Sequence, residues 1–336
     1  GDLMAPTLQV IIVNWNSGAQ LRECLRSIEG VDRTGFQLKR VVVVDNCSTD
    51  HSLSIAESSS IPFVAIRNTY DRGYGAAANQ GVDSSDVDYL LFLNPDTRLF
   101  PDSLSKPIRF MEDHKESKIA ICGVQLLDEK GRVARHCARF PRPPHFYSKI
   151  VGLDKILPRY FESMFLSEWD HKENRLVDHV MGAFWLVRRS IFQKLEGFDE
   201  NFFLYLEDVD FSFRAMQAGW HSYFLADTRI YHEAGSTKKD HEAESLYYSL
   251  QSRILYSYKH FDKWSATVIA FGTLILEPLL RLAYGFAHIS KSEIISTVKC
   301  YAVLWMNVAS LVKIIYAVNR TRGGLKPGFI ERTPIY

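Results

Sequence analysis

The chain has 336 residues, of which 46% are hydrophobic and 24% are charged. This composition is typical of a globular protein and excludes an intrinsically disordered chain. The length allows one large α/β domain with an appendage, or two domains of modest size. A formal net charge of +1 argues against a dedicated nucleic-acid-binding protein, which would be clearly basic. Any anionic ligand must therefore be bound locally, by a metal ion or by a few basic side chains.

The cysteines indicate a reducing compartment. Five are scattered along the chain without any CxxC pair: Cys24, Cys47, Cys122, Cys137 and Cys300. This pattern argues against a disulfide framework and against a cysteine zinc site, and it favours reduced thiols. Because no signal-peptide pattern opens the sequence either, we expect a cytoplasmic protein.

Strand and helix patterns alternate over the first hundred residues. Apolar runs of strand length occupy residues 8–15, 40–45, 62–66 and 89–93. Helices are predicted between them, for residues 21–30, for a short segment after Asp50 and for residues 75–82. Continuous apolar strands joined by crossover helices predict a Rossmann-like, mostly parallel sheet flanked by helices. A ligand binds such a sheet at the carboxyl ends of its strands.

The middle of the chain is less regular. Residues 135–178 are rich in proline, aromatic and basic residues without a clear period, so we expect a long, partly mobile loop. Beyond it, the sequence predicts a strand over residues 180–187, a helix over 206–218 and a strand over 223–231.

The remainder, from about residue 242 to about residue 318, has a helical pattern. Two of its stretches are unusually apolar, residues 266–287 and 298–318. Neither is a clean membrane span, because Glu277, Pro278 and Arg281 interrupt the first, and Asn307 and Lys313 the second. The stretches are either a pair of buried helices or helices that lie in the membrane interface, and a true span is the least favoured reading.

Acidic residues follow two of the predicted strands. Asp45 closes the second strand, where a carboxylate could accept the imide N–H of a uracil or thymine ring, although the following residues also make a good turn and helix cap. Asp96 ends the Asn94-Pro95-Asp96 sequence after the fourth strand. One carboxylate there could anchor Mg²⁺ or Mn²⁺ together with a diphosphate, or the segment could be only a turn.

A third acidic group lies at the start of a predicted helix. Glu207, Asp208 and Asp210 crowd into one turn, so their mutual repulsion should raise the pKa of at least one of them. The helix dipole and an ion pair from Asp210 to Arg214 would give the group a structural role, whereas one well-placed carboxylate could instead deprotonate a hydroxyl. Downstream, His232 ends a strand and could join a carboxylate on Mn²⁺, although a lone histidine is more often structural.

The order of these motifs is more specific than any one of them. VIIVNWN, VVDNCSTD, GYGAAANQG, LLFLNPD, GAFWLVRRSIF, GFDENFFLYLEDVDFSFR and a final H-x-x-G follow one another along the chain. This series resembles the family 2 glycosyltransferases, and it is most similar to the bacterial rhamnosyltransferases of O-antigen and cell-envelope glycan synthesis. The resemblance covers about residues 8–236.

The resemblance implies a GT-A fold and a site for a nucleotide sugar. By match to the motifs of the family, Val13, Trp15 and Asp45 would flank the base, and Asn79 would lie near the sugar nucleotide. Asn94 stands where the family's DxD motif has its first aspartate. It can still form a hydrogen bond to ribose, but it adds no charge to a metal site.

The resemblance also implies metal-dependent, inverting catalysis. Asp96 corresponds to the metal-binding aspartate of DxD, and His232 to the family's downstream metal ligand. Asp208 corresponds to the catalytic base, with Glu207 beside it for the acceptor or the sugar. The expected reaction is a single displacement in which Asp208 deprotonates an acceptor hydroxyl and Mg²⁺ or Mn²⁺ stabilises the leaving diphosphate.

The expected donor is dTDP-L-rhamnose, with a UDP-hexose as the alternative. The acceptor would be a glycan or a polyprenyl-diphosphate-linked glycan at the inner face of the cell membrane, reached through the helical C-terminal region. We expect a catalytic domain over residues 1–240, with a nucleotide-binding half at 8–100 and an acceptor-binding half at 101–240. Residues 241–336 would form the helical, membrane-associated region.

Three other protein classes share parts of this pattern. Gly73, Gly75 and Ala78 match the dinucleotide fingerprint GxGxxA, but they do not follow the first strand, which disfavours a dehydrogenase. A nucleotidyltransferase should carry a glycine-rich, basic loop after the first strand, and the sequence there has one glycine and no basic residue before Arg22. A binding-only homologue stays open, although all the candidate catalytic residues are present.

Overall fold

A computed structural model describes residues 5–57, 60–82, 86–158, 160, 163–233 and 241–321. The chain divides into two compact units. The first unit consists of Gly1–Phe140, Phe165–Glu200 and Glu207–Thr237. The second consists of Pro141–Met164, Asn201–Leu206 and Lys238–Tyr336.

The described residues of the first unit contain one nine-stranded sheet. Its strands are β1 (Thr7–Asn14), β2 (Gln37–Asp45), β3 (Val64–Arg67), β4 (Tyr89–Leu93), β5 (Thr97–Leu99), β6 (Ile119–Leu127), β7 (Arg175–Val177), β8 (Phe184–Arg188) and β9 (His221–His232).

The helices of both units, in chain order, are α1 (Gln20–Glu29), α2 (Ser52–Ala56), α3 (Tyr74–Gly81), α4 (Ser105–Asp113), α5 (Pro143–Ile150), α6 (Leu153–Ile156), α7 (Arg189–Lys194), α8 (Glu207–Gln217), α9 (Glu242–His260), α10 (Lys263–Phe271), α11 (Glu277–Ala287), α12 (Lys291–Met306) and α13 (Val308–Thr321). A 3₁₀ turn covers Lys115–Ser117, and a π-helical turn, Gly272–Leu276, joins α10 to α11.

The sheet has the Rossmann-like half that the sequence predicts. Its strand order is β3-β2-β1-β4-β8-β6-β9-β5, with β7 paired to β9. The pairs β3–β2, β2–β1 and β1–β4 are parallel. From β4 onward the sheet is mixed, because β8 runs antiparallel to β4 and β6, whereas β6 and β9 are parallel. The α/β fold class is confirmed, and the parallel strands direct their carboxyl ends to one edge of the sheet.

Apolar runs explain the central strands. Every residue of β4 and β6 is buried, as expected for strands covered by helices on both faces. Helix α1 packs Leu21, Cys24, Leu25 and Ile28 into the core, which is the spacing that predicted it. The strands predicted in the first hundred residues agree with β1 to β4 to within a few residues at each end.

The prediction of an irregular loop over residues 135–178 is wrong. This stretch contains α5, α6 and β7. Helix α5 begins with Pro143 and Pro144, and proline in the first turn is compatible with a helix because those N–H groups need no partner there. Strand β7 has three residues and exists through its pairing with β9, a contact that local sequence does not encode.

The strand predicted for residues 180–187 begins later, at Phe184. Two close contacts explain the delay. Val180 packs against Gly123, where a Cβ atom would lie only 2.7 Å from Cβ of Val180. The amide of Gly182 donates a hydrogen bond to the side chain of Asp208 instead of to a neighbouring strand. Regular pairing with β4 therefore starts only after this turn.

In the second unit, α9 is the central helix. Tyr247, Leu250 and Ile254 of α9 form a core with Cys300 and Leu304 of α12. Both apolar stretches predicted as helical are helical.

Within the described part of the chain, the continuous helical stretch Lys263–Ala287 is long and apolar enough to cross a membrane. Lys291–Met306 and Val308–Val318 meet the same criteria only as a pair, and this pair is bent by 64°. A buried helix of a soluble protein can meet these criteria too, so length and composition do not identify a span.

Gly81 of α3 lies in tight contact with the sheet, whereas Gly30, at the end of α1, does not. A Cβ atom at Gly81 would lie 2.5 Å from Cγ2 of Ile11, whereas one at Gly30 would approach no closer than 3.8 Å to another atom. We expect Gly81→Ala to lower the free energy of unfolding by about 1–3 kcal/mol through overpacking. Gly30→Ala is the matched control and should be neutral or stabilise by up to about 1 kcal/mol. Urea unfolding followed by circular dichroism measures both, and equal effects would contradict the packing argument.

Candidate functional site

The carboxyl ends of β1 and β2 are joined by buried side chains. Asn14 and Asp45 are direct neighbours in the strand register. The Asn14 amide donates to Oδ1 of Asp45 at 2.7 Å and to the Ser52 hydroxyl at 2.9 Å. The amide of Ser48 reaches Oδ2 of Asp45 at 3.3 Å. Asp45 is therefore a buried, oriented carboxylate at the edge of the sheet.

The loops after β1 and β2 hold each other in place. Oδ1 of Asn16 accepts hydrogen bonds from the amides of Thr49 and Asp50, at 2.8 and 3.2 Å. Asn16 itself has a φ of 47°, a left-handed conformation that asparagine tolerates. Trp15 lies half-buried between Asn14 and Asn16. Sequence reasoning missed both asparagines, although the NWN triplet at a strand end was a signal for them.

Val13 lies below this edge, inside the sheet. It pairs with Val44 in the parallel register and packs, partly buried, against two hydrophobic clusters, which include Ile11 and Ala77. Its side chain therefore lies directly before the carboxyl end of β1.

Asn79 is bound to a neighbouring loop. Its side-chain amide donates to the carbonyl of Phe198 at 2.8 Å, and its Oδ1 accepts from the Phe198 amide at 2.9 Å. The same amide group also reaches Glu200 at 3.1 Å. Gly197 permits this contact, because a Cβ atom there would lie 2.6 Å from Oδ1 of Asn79. Asn79 thus fixes the segment that precedes the acidic helix.

Asp96 and His232 are brought together by the pairing of β5 with β9. Thr97 pairs with His232 in the antiparallel register, and the amide of Glu233 donates to the carbonyl of Asp96 at 3.0 Å. As a result, Oδ1 of Asp96 lies 3.4 Å from Nε2 of His232. This oxygen is buried and has no hydrogen-bond partner among the residues that the structure describes.

These two side chains suit a divalent cation in part. A buried carboxylate oxygen without a partner, beside an imidazole nitrogen, is a donor set that Mn²⁺ accepts. Within the described ranges no group of three or more His, Cys, Asp or Glu side chains could hold a metal ion. Gly235 of the H-x-x-G motif lies outside the described residues.

Asn94 connects the end of β4 to the start of β8. Its main-chain N–H donates to the carbonyl of Ala183 at 3.0 Å, and its main-chain carbonyl accepts from the hydroxyl of Thr97 at 2.7 Å. Ala183 follows Gly182, which binds Asp208. The sheet therefore brings the end of β4 close to the acidic helix.

Asp208 is a half-buried carboxylate in the first turn of α8. Its Oδ2 accepts the amide of Gly182 at 3.1 Å and lies 3.3 Å from Nε2 of His179, and its Oδ1 accepts the amide of Val209 at 2.8 Å. A Cβ atom on Gly182 would lie 3.1 Å from Oδ2, so glycine gives the carboxylate its close approach. Sequence reasoning missed His179 and Gly182.

Burial and its neighbours have opposite effects on the pKa of Asp208. Burial is the largest single influence and disfavours the charged form. The His179 imidazole and the amides of Val209 and Gly182 together outweigh it, so the pKa of Asp208 is lowered. Asp208 is therefore ionised at neutral pH, which is the form of a carboxyl group that can accept a proton.

Glu207 has the opposite behaviour. Burial raises its pKa well above the usual range, and the negative charges of Asp208 and Asp210 add to the effect. Its Oε2 is buried without a hydrogen-bond partner among the described residues. A Cβ atom on Gly75 of α3 would lie 3.3 Å from Cβ of Phe198 and 3.7 Å from Cβ of Glu207. Burial favours the neutral form of Glu207, which is the form that can donate a hydrogen bond.

The third acid of the turn is structural. Asp210 is fully buried and accepts Nε of Arg214 at 2.8 Å, the ion pair that its spacing predicted. The same guanidinium donates to the carbonyls of Leu195 and Gly197, at 2.7 and 2.8 Å. The Asp210–Arg214 pair therefore anchors α8 to the segment that Asn79 also binds.

Known proteins resemble this chain in sequence. The sequence model for glycosyl transferase family 2 matches residues 9–196. An N-acetylglucosaminyl-diphospho-decaprenol L-rhamnosyltransferase of Mycobacterium tuberculosis is 26% identical over 281 residues, 78% of this chain and 88% of that protein. The rhamnosyltransferase WbbL of Escherichia coli is 29% identical over 192 residues, 54% of this chain and 69% of that protein.

Solved structures have a similar fold at low identity. The mannosyltransferase PcManGT of Pyrobaculum calidifontis, in complex with GDP-Man and Mn²⁺, aligns with a TM-score of 0.51 at 14% identity, over 96% of this chain and 88% of that chain. GalNAc-T7 with UDP, GalNAc and Mn²⁺ aligns with a TM-score of 0.53 at 16% identity, over 76% of this chain and 51% of that chain. The fold is that of the GT-A glycosyltransferases. The chain belongs to glycosyl transferase family 2 and is a glycosyltransferase.

Proposed function

We propose that this enzyme transfers L-rhamnose from dTDP-L-rhamnose to a hydroxyl of a polyprenyl-diphosphate-linked or free glycan of the cell envelope, such as O-antigen, with inversion at C1. One observation carries the reaction type: Asp208 is a half-buried carboxylate, 17% exposed, that its hydrogen bonds keep ionised. The names of the two bacterial relatives, one of which acts on a diphospho-decaprenol sugar, support the choice of donor and acceptor.

Asp208 acts as the general base in this proposal. It takes the proton of the acceptor hydroxyl while the oxygen attacks C1 from the face opposite the diphosphate. Its fixed orientation, through Gly182 and Val209, reduces the reorganisation needed at the moment of transfer. The neutral carboxyl of Glu207 donates a hydrogen bond to a hydroxyl of the acceptor or of the sugar.

The strand ends bind the nucleotide. The carboxylate of Asp45 accepts the imide N–H of thymine, and Val13 and Trp15 flank the base. Asn94 bonds the ribose, and Asn79 supports the site from beneath through its bonds to Phe198. In this arrangement residues 8–100 are the nucleotide-binding half and residues 101–240 the acceptor-binding half of a catalytic domain that covers residues 1–240.

Asp96 and His232 hold Mg²⁺ or Mn²⁺ in this proposal, supported by the unpartnered Oδ1 of Asp96. A bound divalent ion stabilises negative charge on a departing diphosphate. Because Asn94 contributes no charge, the metal affinity of the chain alone should be low, and the diphosphate should supply the remaining ligands.

The first test removes the base. We expect Asp208→Asn to fold and to bind dTDP-L-rhamnose, and to lose transfer by about 10²-fold or more. Asp227→Asn, an exposed position on β9, is the control. Transfer is measured with a polyprenyl-diphosphate-linked N-acetylglucosamine acceptor. Thermal shift with dTDP-L-rhamnose and with UDP-hexoses reports donor binding, because a ligand of the folded state raises its stability. Near-normal transfer by Asp208→Asn would remove this residue from the role.

The second test concerns the metal. We expect Asp96→Ala to abolish the gain in dTDP-L-rhamnose affinity that Mn²⁺ gives the unaltered protein, because the ion loses its carboxylate ligand. Isothermal titration with and without Mn²⁺ measures the gain. Asp102→Ala removes an exposed aspartate that pairs with Lys106 and should leave the gain intact. Unchanged metal-dependent affinity in Asp96→Ala would contradict the assignment.

We further propose that the second unit, which includes the helical region of residues 241–336, docks on the inner face of the cell membrane. Along Lys263–Ala287, large apolar side chains recur every three, four or seven residues and are exposed: Trp264, Val268, Phe271, Ile275, Leu279 and Phe286. An apolar stripe of this size on a surface is typical of an interaction site.

The opposite face of the same stretch is packed against the protein. Ile269 and Thr273 are fully buried, and Glu277 is 2% exposed, with Oε2 accepting Nη1 of Arg253 at 2.6 Å. A helix with one face committed to α9 and a buried ion pair at its centre is suited to lie in the interface rather than to cross the bilayer.

Membrane docking has a direct test. We expect the double variant Phe271→Glu with Leu279→Glu to bind phosphatidylcholine–phosphatidylglycerol vesicles at least about 10-fold more weakly. The reason is that two apolar side chains that would be buried in the lipid are replaced by charged ones. The matched control places glutamate at Val64 and Leu176, two exposed apolar positions of the first unit. Vesicle co-sedimentation measures both variants. Equal binding by the two would contradict docking through this stripe.

A further inference from the structure

His179 lies between α8 and the turn that precedes β8, and it is almost fully buried, at 3% exposure. Its Nε2 lies 3.3 Å from Oδ2 of Asp208, and its Nδ1 lies 3.0 Å from the hydroxyl oxygen of Ser212. The Ser212 hydroxyl in turn bonds the main-chain carbonyl of Asp208 at 2.9 Å. The imidazole therefore connects the side chain of the acid to a residue one helical turn further on.

The direction of these hydrogen bonds follows from the chemistry of the groups. The Ser212 hydroxyl lies in position to donate its single hydrogen to the main-chain carbonyl oxygen of Asp208, which can only accept. The hydroxyl oxygen must then accept from His179, which places a hydrogen on Nδ1. In a neutral imidazole this leaves a bare lone pair on Nε2, facing a carboxylate oxygen. Two lone pairs at this distance repel each other, so a proton must lie between them.

That proton stays on the imidazole. The amides of Gly182 and Val209 both donate to the Asp208 side chain, and hydrogen bonds of this kind favour the carboxylate over the carboxylic acid. We infer that His179 is a positioning residue that presents Nε2–H, and with it an imidazolium charge, to the base of the proposed reaction. This inference deepens the proposed function and rests on Asp208 being that base.

The arrangement also assigns the two oxygens of Asp208 different tasks. Gly182 and His179 occupy the two lone pairs of Oδ2. Val209 occupies one lone pair of Oδ1, so the other is available for the proton of the acceptor hydroxyl. During transfer the acceptor O–H bond breaks, its proton goes to Oδ1, the new O–C1 bond forms, and the bond from C1 to the diphosphate breaks. His179 keeps its protons throughout.

Several other titratable groups lie near the pair in the described part of the chain. Burial raises the pKa of Glu207 and of Tyr74, which favours the neutral form of both. Burial lowers the pKa of His136 to about 3, so it is neutral as well. Asp210 is neutralised by Arg214. The charge that Asp208 senses most directly is therefore that of His179.

Removing this charge has a predictable effect on the pH dependence of the reaction. The base must be ionised, and His179 lowers the pKa of Asp208. Without the charge, that pKa rises, so activity is lost at higher pH as the solution is acidified. The acid limb of the kcat profile should then move up by about 1–3 pH units, the usual effect of one nearby opposite charge.

The decisive experiment observes the imidazole directly and needs no substrate. Two-dimensional ¹⁵N–¹H NMR of histidine-labelled protein reports which ring nitrogens carry hydrogen. We expect both nitrogens of His179 to be protonated at pH 7.5 in the unaltered protein, with the signal identified by its loss in His179→Gln. In Asp208→Asn the ring should become neutral, because the carboxylate that holds the second proton is gone. A neutral ring in the unaltered protein, or no change in Asp208→Asn, would overturn the inference.

Kinetics separates positioning from a merely structural role. His179→Gln keeps an N–H donor without the charge, and Ser212→Ala allows the neutral tautomer with hydrogen on Nε2. Both should shift the acid limb upward, with the KM for dTDP-L-rhamnose unchanged and kcat above the limb within about 10-fold of normal. His221→Gln, at an exposed position, is the control. An unmoved limb in both variants would count against His179. Full activity of Asp208→Asn would instead refute the proposed base, whatever the NMR spectra show.

Discussion

Three carboxylic acids in a single buried turn cannot all be ionised without compensation, and the rest of the site depends on how this constraint is met. Each acid of α8 meets it differently. Asp210 is neutralised by a guanidinium, Asp208 is held ionised by two amides and an imidazole, and Glu207 has no such partner and is driven toward its neutral form. One stretch of sequence thus holds three carboxyl groups with different proton affinities, because each side chain faces a different environment.

These environments require close approach of the backbone, which explains details of the fold that serve no packing purpose of their own. Strand β8 begins only after Gly182 because the amide of this residue turns toward Asp208, and any side chain there would crowd the carboxylate. Gly75 of α3 has a close contact of its own, because a Cβ atom there would lie 3.3 Å from Cβ of Phe198. At Gly182 a main-chain amide therefore solvates the charge of Asp208 instead of pairing with a neighbouring strand.

The sequence predicts those parts of the molecule that local pattern determines. Apolar runs indicated β1 to β4, and the acidic turn was predicted from three acids within four residues. The contact of Asp96 with His232 could be expected only by resemblance, since it arises from the register of β5 on β9. His179 could not be identified, because a histidine next to an irregular stretch has no distinguishing spacing. Its importance comes from Ser212 and Asp208, which are distant in sequence and meet it only in the fold.

The helical unit shows why length and apolarity do not by themselves identify a membrane span. The stretch Lys263–Ala287 satisfies both criteria, yet Glu277 at its centre is fully enclosed and paired with Arg253. Removing such a pair from water is costly, and breaking it costs more, so this face of the helix must stay against α9. The apolar side chains left over lie on the other face, with Phe271 65% exposed. The buried charge pair, rather than the apolar content, therefore determines which side of the helix can meet lipid.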